Sequence, residues 1–217
     1  EMAWVNALPR QTEATRLLYR VIKRMFDLTV TLLVLPFALP ILALVAVLIL
    51  IDSGRPVFFI QDRTGMGGKR FKMYKFRTMV PDAEKLLDQI AETNIKGELA
   101  GPVKLKDDPR VTRIGRILRR TSLDELPQLI NVLRGEMSLV GPRPTSWSLA
   151  SYQLWQTERL NVRPGITGLW QVCDRGETSF DEWLRWDIKY IERMSLWLDL
   201  RIILRTVGNV LARRGAH

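Results

Sequence analysis

An acidic pair inside an arginine-dense stretch is the part of this sequence best suited to chemistry. Asp124 and Glu125 stand in Thr121-Ser122-Leu123-Asp124-Glu125-Leu126-Pro127, flanked along the chain by Arg110, Arg113, Arg116, Arg119, Arg120, Arg134 and Arg143. Arginine forks match phosphate oxygens two at a time. A carboxylate among them could cap a helix, bind a hard cation or attack a phosphorus. Capping has its own support, because Ser122 followed three residues later by Glu125 has the spacing of a capping box. Pro127 limits that idea: a helix capped at Ser122 puts the proline one turn inside, where its missing N–H is costly. A helix opening near Asp124 instead places Pro127 in the tolerated first turn. Asp124 would then lie where backbone N–H groups gather anions. On these residues alone, capping, metal binding and nucleophilic attack all stay open.

What is scarce narrows the chemistry further. The chain has 217 residues with one His and one Cys. Cys173 cannot form an internal disulfide, which fits a reducing compartment. A His/Cys zinc site has too few ligands, and triad-type catalysis would rest on His217 at the C-terminal end. Carboxylate, Lys, Arg and hydroxyl chemistry are left. The net charge of +10 suits nucleic acid, an anionic membrane surface or anionic substrates, and charge alone does not choose among them.

The elements that must position this stretch begin with an apolar run. Leu28 to Ile51 contains no charged residue and is long enough to cross about 30 Å of hydrocarbon as a helix. Pro36 and Pro40 sit in its middle, and each removes a helical hydrogen bond. Arg20, Lys23 and Arg24 precede the run, and Arg55, Arg63, Lys69, Arg70 and Lys72 follow it. Basic flanks favour the cytoplasmic side. A helix that breaks near the prolines and returns satisfies both flanks, whereas a straight span satisfies one. A re-entrant helix is therefore the expectation.

Residues 57–60 and 71–76 read as two strands around the turn Gly65-Met66-Gly67-Gly68, which lacks the spacing of a phosphate loop. Residues 81–96 look helical and 97–109 look like a loop. Residues 1–19 read as a linker or frayed helix. From Phe180 to Arg214 the pattern is helical, with Trp183, Trp186, Ile188, Ile191 and Trp197 among Arg185, Lys189 and Arg193. Such a helix suits the headgroup layer, and packing on its own domain accounts for it equally well.

Six motifs in order carry a resemblance to a known family. They are Lys23-Arg24-Met25-Phe26-Asp27, Gly54 to Phe59, Lys75-Phe76-Arg77-Thr78-Met79, Arg119 to Leu129, Gly141-Pro142-Arg143-Pro144 and Arg163 to Gly168. Together, from about residue 20 to about 207, they resemble the bacterial sugar transferases, monotopic phosphoglycosyl transferases that act on polyprenyl phosphate. The resemblance implies an α+β, mainly helical fold. Its parts are a re-entrant membrane helix over 20–53 broken near Pro40, and a catalytic domain over 54–217 with a small β-hairpin and amphipathic interfacial helices. The active site would face the cytoplasm at the inner membrane of a bacterium.

It also implies a ping-pong reaction. Asp124 would be the nucleophile that takes a sugar-phosphate from a nucleotide-sugar, with Glu125 beside it and Mg²⁺ held at Asp124 and Glu125. Motif position assigns Arg119, Arg143 and Arg175 to phosphate binding. Arg163 is a weaker candidate beside Pro164, and Asp199 matches a family position without an evident role. Many members carry Ser just before the break-point proline where this chain has Leu39, which removes one hydroxyl from the broken backbone. The expected partners are a UDP-hexose, undecaprenyl phosphate and membrane lipids, and no nucleic acid; oligomeric state is left open, a homodimer included. A nucleic-acid-binding protein would have no use for residues 28–51. A membrane-anchored scaffold would leave Asp124-Glu125 nothing beyond capping.

Overall fold

A computed structural model of the chain describes residues 13–83, 108–173 and 180–212, together with Val5. All but the first three residues of the helix expected at 81–96 lie outside the described residues. So do most of the loop expected at 97–109, Arg175 and His217.

Helix α1 (Glu13–Ser53) contains the whole apolar run. It begins ahead of the residue-20 boundary expected from the sequence. Leu17–Ser53 is long and apolar enough to cross a membrane, with a mean hydropathy of 3.0 in its best window and only 17% of that window buried. Leucine, valine and alanine without an internal glycine favour a helix, and in hydrocarbon a helix satisfies every backbone group internally. The prolines are the exceptions, since they leave the carbonyls of Leu32 and Pro36 without helical donors. No helix end interrupts the run at either proline, so the break expected near Pro40 is not marked by a change of element.

Both ends of α1 dock on the rest of the chain. Near its start, Arg24 donates to the carbonyls of Val132 (2.6 Å) and Leu133 (3.0 Å). Near its end, Val45 and Ile49 pack with Phe76 and Leu118. Arg77 there donates to the carbonyls of Ser53 and Gly54 at 2.9 and 2.8 Å, where a cation complements the helix dipole.

The expected hairpin is present and longer than predicted. Strands β1 (Phe58–Thr64) and β2 (Arg70–Phe76) pair antiparallel, with Phe59 opposite Lys75, Gln61 opposite Met73 and Arg63 opposite Phe71. Helix α2 (Arg113–Thr121) follows, then a 3-10 helix (Leu123–Gln128) and α3 (Leu129–Arg134). A second sheet went unread in the sequence: β3 (Ser138–Val140) pairs in parallel with β4 (Gly165–Thr167). Three-residue strands are too short to show a period.

After α4 (Leu169–Cys173), the single C-terminal helix of the sequence reading proves to be two. These are α5 (Phe180–Arg193) and α6 (Leu196–Leu211). Ser195, in extended conformation, ends the first and caps the second by accepting a hydrogen bond from the Leu198 N–H. Trp186 of α5 belongs to the protein's own core, and Trp183 is half-buried. Trp186 and Ile191 are buried with Leu198 and Ile202 of α6, and Trp183 stacks on Trp170 at 4.9 Å. The opposite side of α6 differs: Trp197, Leu200, Leu204, Val207 and Leu211 recur at helical spacing and are all exposed.

A buried polar knot joins α1 to α6. Asp199 is fully buried, accepts from the Tyr19 hydroxyl at 2.6 Å and the Tyr190 hydroxyl at 2.7 Å, and pairs with Lys23 at 3.2 Å. This is the role the sequence left without an answer for Asp199. Lys23 also meets Asp27 at 3.0 Å, and Asp27 accepts from the Ser138 hydroxyl at 2.7 Å. The start of the apolar helix is thereby tied to β3 and to the C-terminal helices.

Candidate active site

Three elements bring the site together. The first is the inner face of the hairpin. Strand alternation puts Phe71, Met73 and Lys75 on one side of β2; Phe71 and Met73 are buried against Val132 and Met137, so Lys75 also points inward. Asn131, fully buried, pins the strand: it accepts from the Tyr74 N–H at 3.2 Å and donates to the Lys72 carbonyl at 2.7 Å.

The second element is the turn that carries the acids. Ser122 ends α2 in the left-handed region at φ 55°, a conformation that costs a non-glycine residue about 1 kcal/mol. Its N–H reaches back to the carbonyls of Arg119 and Leu118, and the chain then turns into the 3-10 helix. The expected α-helix opening at Asp124 is corrected here: Asp124, Glu125 and Pro127 all lie within the 3-10 helix, and α3 begins at Leu129. The capping box also does not form. Ser122 makes no side-chain cap bond, and the Glu125 side chain turns elsewhere.

It turns to the third element, the loop Gly141-Pro142-Arg143-Pro144 after β3. Glu125 Oε1 accepts from Lys75 Nζ at 2.7 Å and from Arg143 Nη2 at 2.6 Å. The loop is held from behind by Arg159, which donates to the Arg143 carbonyl and pairs with Asp187 at 2.7 Å. Both members of that pair are buried. Burial pushes Asp187 up to about 7, with Arg159 opposing it.

The two neighbouring carboxylates are driven apart electrostatically. Burial alone would raise Glu125, but Arg143 and then Lys75 hold it down at about 2. Asp124 moves the other way: burial raises it, the Glu125 charge raises it further, and Lys75 and Arg143 offset part of the rise. Carboxylates with divergent titration commonly divide labour. Glu125 is the carboxylate committed to two cations, and Asp124 is the more basic of the two. Lys75 itself is lowered, chiefly by burial, with Glu125 opposing the shift.

The other sequence candidates fare differently. Arg143, expected to bind phosphate, joins the cluster through its pair with Glu125. Arg119 donates through Nε to the Thr78 hydroxyl at 2.9 Å, and no bond from it to Asp124 or Glu125 is present among the described residues. Arg163 donates to the Gly135 carbonyl at 2.8 Å, a structural tie. Lys75 was missed, although an inward-facing charge in the alternation of residues 71–76 was the available signal.

A magnesium ion fits the donor set. Asp124 and Glu125 offer hard carboxylate oxygens close enough to feel each other's charge, and the donors to Glu125 converge on Oε1. No group of three or more His, Cys, Asp or Glu that could cage a metal occurs among the described residues. One or two carboxylates, completed by substrate phosphates and water, is how Mg²⁺ is usually held.

Comparison with known proteins adds a family and relatives. A family model described as bacterial sugar transferase matches residues 18–213. A UDP-galactose-lipid carrier transferase of Erwinia amylovora is 42% identical over 201 residues, covering 91% of this chain and 42% of that protein. The exopolysaccharide production protein ExoY of Sinorhizobium fredii is 39% identical over 213 residues, 97% of this chain and 94% of that one. An undecaprenyl-phosphate galactose phosphotransferase of Salmonella typhimurium is 40% identical over 201 residues, 91% of this chain and 42% of its own length. The chain thus spans less than half of some curated relatives and nearly all of another.

Proposed function

This chain belongs to the bacterial sugar transferase family, and from that premise we propose that it moves a hexose-1-phosphate from a UDP-sugar to undecaprenyl phosphate. UMP is released, and the reaction passes through a covalent sugar-phosphate on Asp124. The observation that carries this reading is the clamp of Arg143 (2.6 Å) and Lys75 (2.7 Å) on Glu125, which leaves its chain neighbour Asp124 the more basic carboxylate.

In the first half-reaction an Asp124 carboxylate oxygen attacks the sugar-bearing phosphorus. The bond from that phosphorus to the bridging oxygen breaks, and the electron pair leaves with UMP. In the second, the polyprenyl phosphate oxygen attacks the same phosphorus and Asp124 departs as carboxylate. Two steps through a covalent intermediate replace one difficult transfer. Arg143 and Lys75, fixed by Glu125, place positive charge where phosphoryl oxygens gather negative charge. Mg²⁺ held at Asp124 and Glu125 would neutralise further phosphate charge. Arg119 and Arg175 are proposed as additional phosphate contacts.

We further propose that α1 enters and leaves the membrane on the cytoplasmic face, and that residues 54–217 form the catalytic domain there. Two observations support the fold-back. Drawn straight, Arg24 and Ser53 would stand about 43 Å apart. Yet Arg24 grips Val132, its neighbour Asn131 grips Tyr74, and Arg77, about 10 Å along an extended strand from Tyr74, grips Ser53. Ala38, between the prolines, is buried although Phe37 and Leu39 on either side are exposed, as fits the inside of a bend. The exposed apolar stripe of α6 supports an interfacial helix.

The test uses detergent-solubilised chain, Mg²⁺ and a panel of UDP-sugars. A stoichiometric burst of UMP without lipid, and turnover with undecaprenyl phosphate, is the expected result. Release of UDP would overturn the reading.

A further inference from the structure

Among the described residues Arg63 is a guanidinium without a salt-bridge partner, and Arg143 and Arg70 act on it as like charges. It lies on the same face of the hairpin as Lys75, because Arg63 is opposite Phe71 and Lys75 is opposite Phe59 in the register. Its Nη1 donates to the Pro144 carbonyl at 3.4 Å and its Nη2 to the Gln61 side chain. Its Nε is buried and meets no acceptor among the described residues. No carboxylate pairs with it among the salt bridges of the described residues.

Charge around it makes this arrangement costly in the free protein. Burial lowers Arg63 first, and Arg143 and Arg70 lower it further, with Glu125 pulling the other way. A partly buried cation facing two like charges, with an unused N–H, is arranged for an anion that arrives later. Arg63 reaches the Pro144 carbonyl, next in the chain to Arg143, and Arg143 pairs with Glu125 beside Asp124. Arg143 and Asp124 feel each other's charge, and Arg63 feels Arg143 and Glu125.

We propose that Arg63 binds the phosphate of the leaving nucleotide, next to the phosphorus that Asp124 attacks. This rests on the phosphoglycosyl transfer proposed above. When the bond between the sugar-bearing phosphorus and the bridging oxygen breaks, the electron pair settles on the nucleoside monophosphate. Arg63 meets that new charge with two-pronged hydrogen bonds that Lys75 and Arg143, committed to Glu125, do not supply. Gln61 holds the fork in plane.

The test compares wild type, Arg63→Ala and Arg63→Lys in detergent, measuring the affinity of UMP and of inorganic pyrophosphate along with melting without ligand. UMP and pyrophosphate should each bind on the order of tenfold more weakly to Arg63→Ala, the loss of one charge-assisted contact. Arg63→Lys should fall between, with the unliganded melting temperature close to wild type, and the KM for polyprenyl phosphate should stay put. Wild-type affinity for both probes in both variants would overturn the proposal, whatever the turnover does. Should Arg63→Ala fail to fold, Arg63→Lys decides by the same criterion. A wild type that releases UDP yet loses pyrophosphate binding on Arg63 substitution would sink the transfer reading and leave this subsite standing.

Discussion

Lys75 and Glu125, fifty residues apart in the chain, meet at 2.7 Å. The contact joins a hairpin strand to the turn that carries Asp124, so the strand's register sets where the proposed nucleophile points. Replacing Lys75 with Met keeps the bulk and removes the charge. Glu125 would keep Arg143 but lose half of its compensation, at a cost of about 1–3 kcal/mol. Thermal unfolding should record the loss, and transfer should fall more steeply than stability.

Asp124→Asn should abolish transfer while leaving the melting temperature near or above that of wild type, because the substitution removes a carboxylate that burial disfavours. Intact-protein mass spectrometry after incubation with donor should show a sugar-phosphate adduct on wild type and none on the variant. An adduct on the variant would move the nucleophile elsewhere.

The pH profile should carry the raised carboxylate. Attack needs ionised Asp124, so activity should fall on the acid side with a midpoint above the ordinary aspartate value of 3.8. Glu125→Gln removes a like charge and frees two cations for Asp124, so the midpoint should move to lower pH even as turnover drops. Stability follows the opposite group. Glu125 is held at about 2 against an ordinary 4.5, so its contribution is complete above about 4.5 and is lost as pH falls toward 2. Acid unfolding of Glu125→Gln should lack that component.

Asp199→Ala breaks the knot that ties α1 to α6. It strands Tyr19 and Tyr190 and takes one of the two carboxylates from Lys23. Removing one member of a buried ion pair costs about 3 kcal/mol or more. The melting temperature should drop well below that of Asp199→Asn, which keeps one acceptor.

Leu204→Glu places a charge in the centre of the exposed stripe of α6. If that face lies on lipid, the variant should be extracted from membranes by milder detergent than wild type, with its melting temperature unchanged. Identical extraction would remove the interfacial assignment.

The sequence by itself determined the apolar helix, the hairpin and the acidic pair. Each depends on neighbours along the chain: an uncharged run for residues 28–51, strand alternation with a glycine turn for 57–76, and an Arg-rich context for Asp124-Glu125. It also held the family, because six ordered motifs outweigh any single spacing. What Glu125 does was not local. Ser122 and Glu125 have capping-box spacing, and only the arrival of Lys75 and Arg143 from distant elements turned the side chain away from that role. The same holds for Asp199, whose partners Tyr19 and Lys23 lie some 180 residues upstream. The parallel pairing of β3 with β4 joins strands too short to announce themselves. Secondary structure follows from short-range sterics and periodicity, which a sequence displays directly. Ion pairs and buried networks follow from which side chains share a low-dielectric space, and that is decided only when the whole chain has packed.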